Sequence, residues 1–223
     1  MDFPGKLAAM CFTQGCNLKC PYCHNPSLNP HNGPELEAAP LSANRVLEVV
    51  KRHAPHLDGL VISGGEPTVQ PELASFIQEA RQLNLAIKLD TNGTRPHVLE
   101  QLLAEGVIDY IAMDIKAPPE PAKYAAASGT PVNLSHVRES VRLIQQSGLP
   151  HEFRTTIVQS LHTLDDVLAI GDWVAGAPLY ALQRFQCNRT YDETFAQEET
   201  WPEAQFEAAR ELLAPRFGSV VVR

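Results

Sequence analysis

Leu60-Val61-Ile62-Ser63-Gly64-Gly65-Glu66-Pro67 is an apolar run that stops abruptly on paired glycines. Three aliphatic residues closed by a turn cluster predict a short strand and a sharp exit from it. Upstream, Leu7 to Thr13 predicts a first buried strand, and between the two Ser42 predicts the N-cap of an amphipathic helix reaching about Arg52. Downstream the alternation continues, with helices over 71–83, 95–104, 134–146, 164–174 and 202–213 and strands over 86–89, 108–115, 151–158, 179–185 and 218–222. Strand and helix in repeated alternation call for a parallel sheet with crossover helices.

Six such units are too few for a closed eight-stranded barrel, and 223 residues fall short of the roughly 250 usual for one. The expectation is therefore an α/β fold, an open partial (β/α)6 barrel with a parallel sheet, in one domain over 1–223. Its core spans about 7–186, followed by a C-terminal helix and short strand in 187–223.

In such folds reactive groups gather beyond the carboxyl ends of the strands. Cys16, Cys20 and Cys23 follow strand 1, Gly64-Gly65-Glu66-Pro67 strand 2 and Asp90-Thr91-Asn92-Gly93 strand 3. Asp114-Ile115-Lys116 ends strand 4, Arg154 sits in strand 5, and Gln183 to Gln186 close strand 6. These segments are expected to meet on one rim.

Cys16-Asn-Leu-Lys-Cys20-Pro-Tyr-Cys23 offers three thiolates, one fewer than closes an ordinary four-iron cluster, which would leave one iron open to a ligand that is not protein. His24 adds a possible fourth zinc ligand, although Cys11 and Cys187 form no second pair. Spacing alone leaves both metals standing, iron–sulfur ahead. Five cysteines, an odd number, argue against a disulfide framework.

A formal net charge of −8 argues against nucleic acid or an anionic membrane as the main partner, and 44% hydrophobic content is ordinary for a globular protein. No run approaches the ~20 apolar residues of a membrane span, and the first residues lack signal-peptide order, so a reducing cytoplasm is the expected location.

The Cys-x3-Cys-x2-Cys spacing with Tyr22 before the last cysteine, followed by Gly64-Gly65-Glu66-Pro67, resembles the radical S-adenosylmethionine (SAM) superfamily. Asp2-Phe3-Pro4-Gly5, Phe12 to Asn17, Cys23-His24-Asn25-Pro26, Leu89 to Gly93 and Met113-Asp114-Ile115-Lys116 narrow the likeness to its glycyl-radical-enzyme activases, most closely those serving anaerobic ribonucleoside-triphosphate reductase. The likeness runs to about Gln186.

This resemblance implies a [4Fe-4S] cluster on Cys16, Cys20 and Cys23 whose open iron takes the amino and carboxylate groups of SAM. Reductive cleavage would then yield a 5′-deoxyadenosyl radical without acid–base side chains. It further implies Gly64, Gly65 and Glu66 at the SAM amino group and Asp90, Thr91 and Asn92 near the ribose. Tyr22 and His24 are candidates to pack beside the adenine, with His24 reading equally as a bystander. Lys116 and Arg154 would meet carboxylate or hydroxyl groups, and Gln186 takes the place of a histidine common at the adenosyl group. Asp90, Thr91 and Asp114 would help form a monovalent-cation site.

Plainer readings compete. The Gly-Gly and Asp-Thr-Asn-Gly segments are ordinary turns; Asp114 and Lys116, two apart in a strand, can pair with each other; and Arg154 can pair with a core carboxylate. Cys11 reads as a small core residue and Cys187 as a lone thiol. His53, His56 and His97 read as surface groups and 192–199 as a solvated charge run, while 25–40 is a candidate lid or docking edge.

The expected partners are a glycyl radical enzyme, first among them anaerobic ribonucleoside-triphosphate reductase, and a one-electron donor such as flavodoxin or ferredoxin. A radical-SAM enzyme acting on a small molecule, such as a deazapurine-forming synthase, and a passive cluster-carrying module are the alternatives. No second four-cysteine set points to further clusters.

Overall fold

The computed structural model describes residues 3–29 and 39–223. Its strands are β1 (Ala8–Thr13), β2 (Gly59–Gly64), β3 (Ala86–Thr91), β4 (Tyr110–Asp114), β5 (His151–Ile157), β6 (Leu179–Arg184) and β7 (Ser219–Val222). They form one all-parallel sheet in chain order, with β1 and β7 at its two edges. The sheet is open, as expected, and the short last strand extends it to seven by pairing with β6.

Helices α1 (Ala43–His53), α2 (Leu73–Arg81), α3 (Pro96–Ala104), α4 (Pro121–Ser128), α5 (Leu134–Gln146), α6 (Leu164–Trp173) and α7 (Glu203–Leu213) make the crossovers. Local chemistry sets their starts: the Ser42 hydroxyl accepts the Arg45 N–H at 3.3 Å, Asn133 caps α5, and Thr163 with Asp166 forms a reciprocal capping box on α6.

The sheet's two faces differ. Leu60, Ile62, Leu89, Ile111 and Phe153 pack with helix residues such as Ile77, Leu99, Val141 and Ile170 in the main core. Val61, Tyr110 and Ala112 join Phe3 on the opposite face. Residues two apart in a strand share a face, so Lys88, Asp90, Asp114, Glu152 and Arg154 belong to that second face by register with Tyr110 and Ala112.

Two expectations need correction. Strand 1 is not buried: it is an edge strand with Leu7 64% and Phe12 51% exposed, because no strand pairs with its outer side among the described residues. An additional helix, α4, stands where none was expected; it opens on Pro121, buries Tyr124 and Ala127, and ends on left-handed Gly129. Of the loop over 25–40, residues 30–38 lie outside the described residues, as does Asp2.

Candidate active site

At the carboxyl ends of the strands lies a cavity of about 540 Å³. Every residue put forward from sequence lines it: Cys16, Cys20, Tyr22, Cys23, His24, Gly64, Gly65, Glu66, Asp90, Thr91, Asn92, Asp114, Lys116, Arg154 and Gln186. A larger, more apolar groove of about 1100 Å³ between β1, α1 and α2 touches none of the three clustered cysteines.

The cysteine loop is held by backbone contacts from four directions. Gly15 N–H donates to Leu28 O at 2.6 Å, Glu66 N–H to Gly15 O at 2.9 Å, Lys19 N–H to Ser128 O at 2.9 Å, and Asp192 N–H to Pro21 O at 3.0 Å. The unexpected α4 is thus one of its supports. Gly65 permits another, since a Cβ there would come within 2.1 Å of Gly15 O. The paired glycines therefore serve the packing of protein on protein, besides any approach to a ligand.

Glu66 is buried and its carboxylate accepts four hydrogen bonds, from Thr68 N–H at 3.1 Å, Thr68 Oγ1 at 2.5 Å, Thr91 Oγ1 at 2.7 Å and Asn92 N–H at 2.7 Å. Burial raises its pKa, and these donors pull against the rise. Asn92 Nδ2 in turn reaches Asn17 Oδ1 at 3.0 Å and Cys16 Sγ at 4.0 Å, and Asn17 donates to Thr94 Oγ1 at 2.7 Å. The exits of β2 and β3 and the cysteine loop are laced together.

Alternating charges occupy the floor. Arg154 donates to Asp114 Oδ1 at 2.7 Å and to Asp90 Oδ2 at 3.2 Å, and Lys116 Nζ lies 3.0 Å from Asp114 Oδ2. Lys88 Nζ stands 2.9 Å from Asp90 Oδ1 and 3.9 Å from Glu152 Oε1, and Arg223 clasps Glu152 at 2.9 and 3.3 Å. Burial by itself would raise the Asp114 pKa, but Arg154 and Lys116 outweigh it and hold the carboxyl well below the usual range. The same pairing lifts Lys116 above its ordinary value against the effect of burial. Both simple pairings anticipated for Asp114–Lys116 and for Arg154 with core carboxylates are present.

Tyr22 is buried, meets Phe185 edge-on with ring centroids 6.5 Å apart, and keeps a hydroxyl with no hydrogen-bond partner among the described residues. His24 and Gln186 are exposed at the rim. Cys11 is half-buried against the core, Cys187 is exposed, and His53, His56 and His97 are on the surface.

All five cysteines are free thiols. Burial pushes the Cys20 thiol up to about 12 and raises Cys16 as well, with the neighbouring thiols opposing each ionisation and Lys116 favouring it. Two thiols that resist ionising, Cys16 and Cys20, call for a strongly cationic partner, which suits an iron–sulfur group. No three Cys, His, Asp or Glu side chains among the described residues converge on a point that one ion could occupy.

Sequence reasoning missed Ser63, Lys88, Glu152 and Arg223. Lys88 and Glu152 stand two residues before Asp90 and Arg154, so the period of a strand was the available signal. Ser63 donates to Asp90 Oδ2 at 3.1 Å; nothing local in the sequence marks it or Arg223.

Residues 10–174 match the radical SAM superfamily. A Methanocaldococcus jannaschii protein assigned as a glycyl-radical enzyme activating enzyme is 30% identical over 229 aligned positions, covering 100% of this chain and 91% of that protein. The 7-carboxy-7-deazaguanine synthase of Hyperthermus butylicus is 31% identical over 66% of this chain and 67% of its own. The pyruvate formate-lyase-activating enzyme of Staphylococcus aureus is 28% identical over 78% and 71%.

Among solved structures, Streptococcus suis SuiB bound to S-adenosylmethionine superposes with a TM-score of 0.74 at 12% identity, over 97% of this chain and 50% of SuiB. The chain spans half the length of SuiB, and that likeness is one of fold. With the match over residues 10–174 and a full-length likeness to an activating enzyme, the chain belongs to the radical SAM superfamily of enzymes, on its glycyl-radical activase branch.

Proposed function

We propose that the protein removes a Cα hydrogen atom from a glycine of a partner enzyme, anaerobic ribonucleoside-triphosphate reductase being the foremost candidate, and leaves a glycyl radical there. Membership of the superfamily brings a [4Fe-4S] cluster and SAM as cofactors. The observation that supports the reading most is the gathering of three free thiols and the β2, β3 and β4 exit loops around one 540 Å³ cavity.

In this reading Cys16, Cys20 and Cys23 hold three irons and leave the fourth for SAM. When bound, cluster and SAM together supply a carbon-centred radical able to take a hydrogen atom from glycine. The chain's own groups bind and shield. In the ladder Lys88, Arg154, Lys116 and Arg223 pair with Asp90, Asp114 and Glu152. Lys116 and Arg154, which line the cavity, suit an incoming carboxylate. Tyr22 and His24 offer an aromatic wall for the adenine, and the Glu66 loop with Asn92 and Gln186 borders the remainder.

A monovalent cation at Asp90, Thr91 and Asp114 would compete with Lys88, Arg154 and Lys116, which already hold both carboxylates. An external one-electron donor such as flavodoxin or ferredoxin would reduce the cluster. No helix among the described residues is long and apolar enough to cross a membrane. In this reading the protein works in the cytoplasm, and the whole of 1–223 acts as one domain.

The test is anaerobic. Reconstituted protein, SAM and reductant are mixed with candidate partners, and electron paramagnetic resonance is used to look for a glycyl doublet. A doublet in the reductase alone supports the reading. Formation of 5′-deoxyadenosine with a small substrate, and no doublet in any partner, would move it to the deazaguanine type.

A further inference from the structure

Lys88 lines no part of the cavity, yet its side chain is 1% exposed and lies in the same layer of the sheet as Val61 and Tyr110. An ammonium in such a place is expensive unless firmly paired. Its partners are Asp90 Oδ1 at 2.9 Å and Glu152 Oε1 at 3.9 Å, and its ammonium also lies 5.8 Å from the Tyr110 ring centroid. The Asp90 contact is too oblique for a good hydrogen bond but close enough for charge pairing. The other Asp90 oxygen takes Ser63 and Arg154.

We propose that Lys88 is the built-in cation of the ligand cavity, a positioning residue that neutralises Asp90 from beneath and removes the need for an exchangeable monovalent ion. This inference rests on the reading of the cavity as a SAM site. Asp90 stands on the cavity floor and shares Arg154 with Asp114. Without a second cation it would leave the floor more negative and weaken its hold on the ligand's carboxylate. The Asp90 oxygen left free of hydrogen bonds among the described residues, Oδ1, is the one that Lys88 contacts, so the lysine stands where a small ion would bind. Unlike an ion, the lysine cannot be dialysed away.

The experiment uses the reconstituted holoenzyme at constant ionic strength, with tetramethylammonium chloride as the non-coordinating salt. It is exchanged stepwise for potassium, sodium or ammonium chloride, and SAM affinity is measured by anaerobic equilibrium binding. Wild type is expected to hold SAM within about twofold in all four salts. Lys88→Met is expected to bind about tenfold or more weakly in tetramethylammonium and to regain affinity with potassium or ammonium, because the vacated carboxylates then accept an ion. Lys88→Arg, which keeps the charge, is expected to remain insensitive to salt identity.

The melting temperature of the cluster-free protein gives a second readout. Potassium should raise it for Lys88→Met and leave wild type unchanged. A wild-type protein that needs potassium or sodium to bind SAM would overturn the inference even if Lys88→Met failed to fold. A Lys88→Met protein with wild-type affinity in tetramethylammonium, or one weakened equally in every salt, would also overturn it. Absence of SAM binding under every condition would instead sink the site reading, and this inference with it.

Discussion

The Glu66 carboxylate accepts the backbone N–H of Asn92 at 2.7 Å, joining the exit of β2 to the exit of β3 from a position 1% exposed to solvent. The Thr68 N–H occupies the other carboxylate oxygen, so each oxygen faces a backbone N–H that only an acceptor can satisfy, and the Thr68 and Thr91 hydroxyls complete the set. Glu66→Gln would place an amide N–H₂ among donors, and the expected loss is about 1–3 kcal/mol of stability in the cluster-free protein. Urea denaturation measures it. Unchanged stability with loss of SAM binding alone would mean that Glu66 acts as a ligand contact and not as a tie between loops.

The cysteine ligands make a separate prediction. Cys16→Ala, Cys20→Ala and Cys23→Ala should each abolish or sharply reduce iron and sulfide uptake on anaerobic reconstitution, read by metal analysis and visible absorbance. Cys11→Ala and Cys187→Ala should load like wild type, because neither thiol lines the cavity. A variant of Cys187 that failed to load would displace the assignment of ligands.

Much of the site was legible because strand ends are punctuated. Gly64-Gly65 closes β2 and Asp90 to Gly93 closes β3, so turn chemistry marked where side chains could meet. Helix α5 was legible to the residue, its Asn133 cap preceding a strongly amphipathic stretch. By contrast α4 was not, since Ala117-Pro118-Pro119-Glu120-Pro121 reads as loop and the alanines that follow carry only a weak apolar stripe. Strand period could place Lys88 and Glu152 on the face of Asp90 and Arg154, but their pairing crosses 64 positions of chain, a separation that no local pattern reports.

Helix α4 matters to function through its end. Gly129 is left-handed at φ +66, and a Cβ there would lie 2.0 Å from Lys19 O, the residue whose N–H is held by Ser128. Gly129→Ala should therefore cost about 1–3 kcal/mol of stability and lower iron loading by displacing the segment between Cys16 and Cys20. Alanine at Gly148, where φ is +72 but nothing lies within 4 Å, is the control for left-handed strain alone. Equal iron loading in the two variants would separate α4 from the support of the cysteine loop.

His162 ties the fold to pH. It is 1% exposed; its Nε2 lies 2.9 Å from Lys116 O, its Nδ1 lies 3.2 Å from both Val158 N and Val158 O, and its own carbonyl accepts the Trp201 indole N–H at 3.0 Å. Burial lowers its pKa, against the opposite pull of the Lys116 and Val158 carbonyls and of Asp166. The folded state thus favours the neutral ring, while the unfolded chain takes up a proton near pH 6.5. As pH falls below that value the unfolded state gains a proton that the folded state refuses, so stability drops. The drop ends once the folded pKa is passed. Within that window one such group contributes a slope of up to about 1.4 kcal/mol per pH unit. Urea midpoints measured between pH 7.5 and 5 should show it, and His162→Gln, which can still donate to Lys116 O, should flatten it. An identical slope in that variant would assign the pH dependence elsewhere.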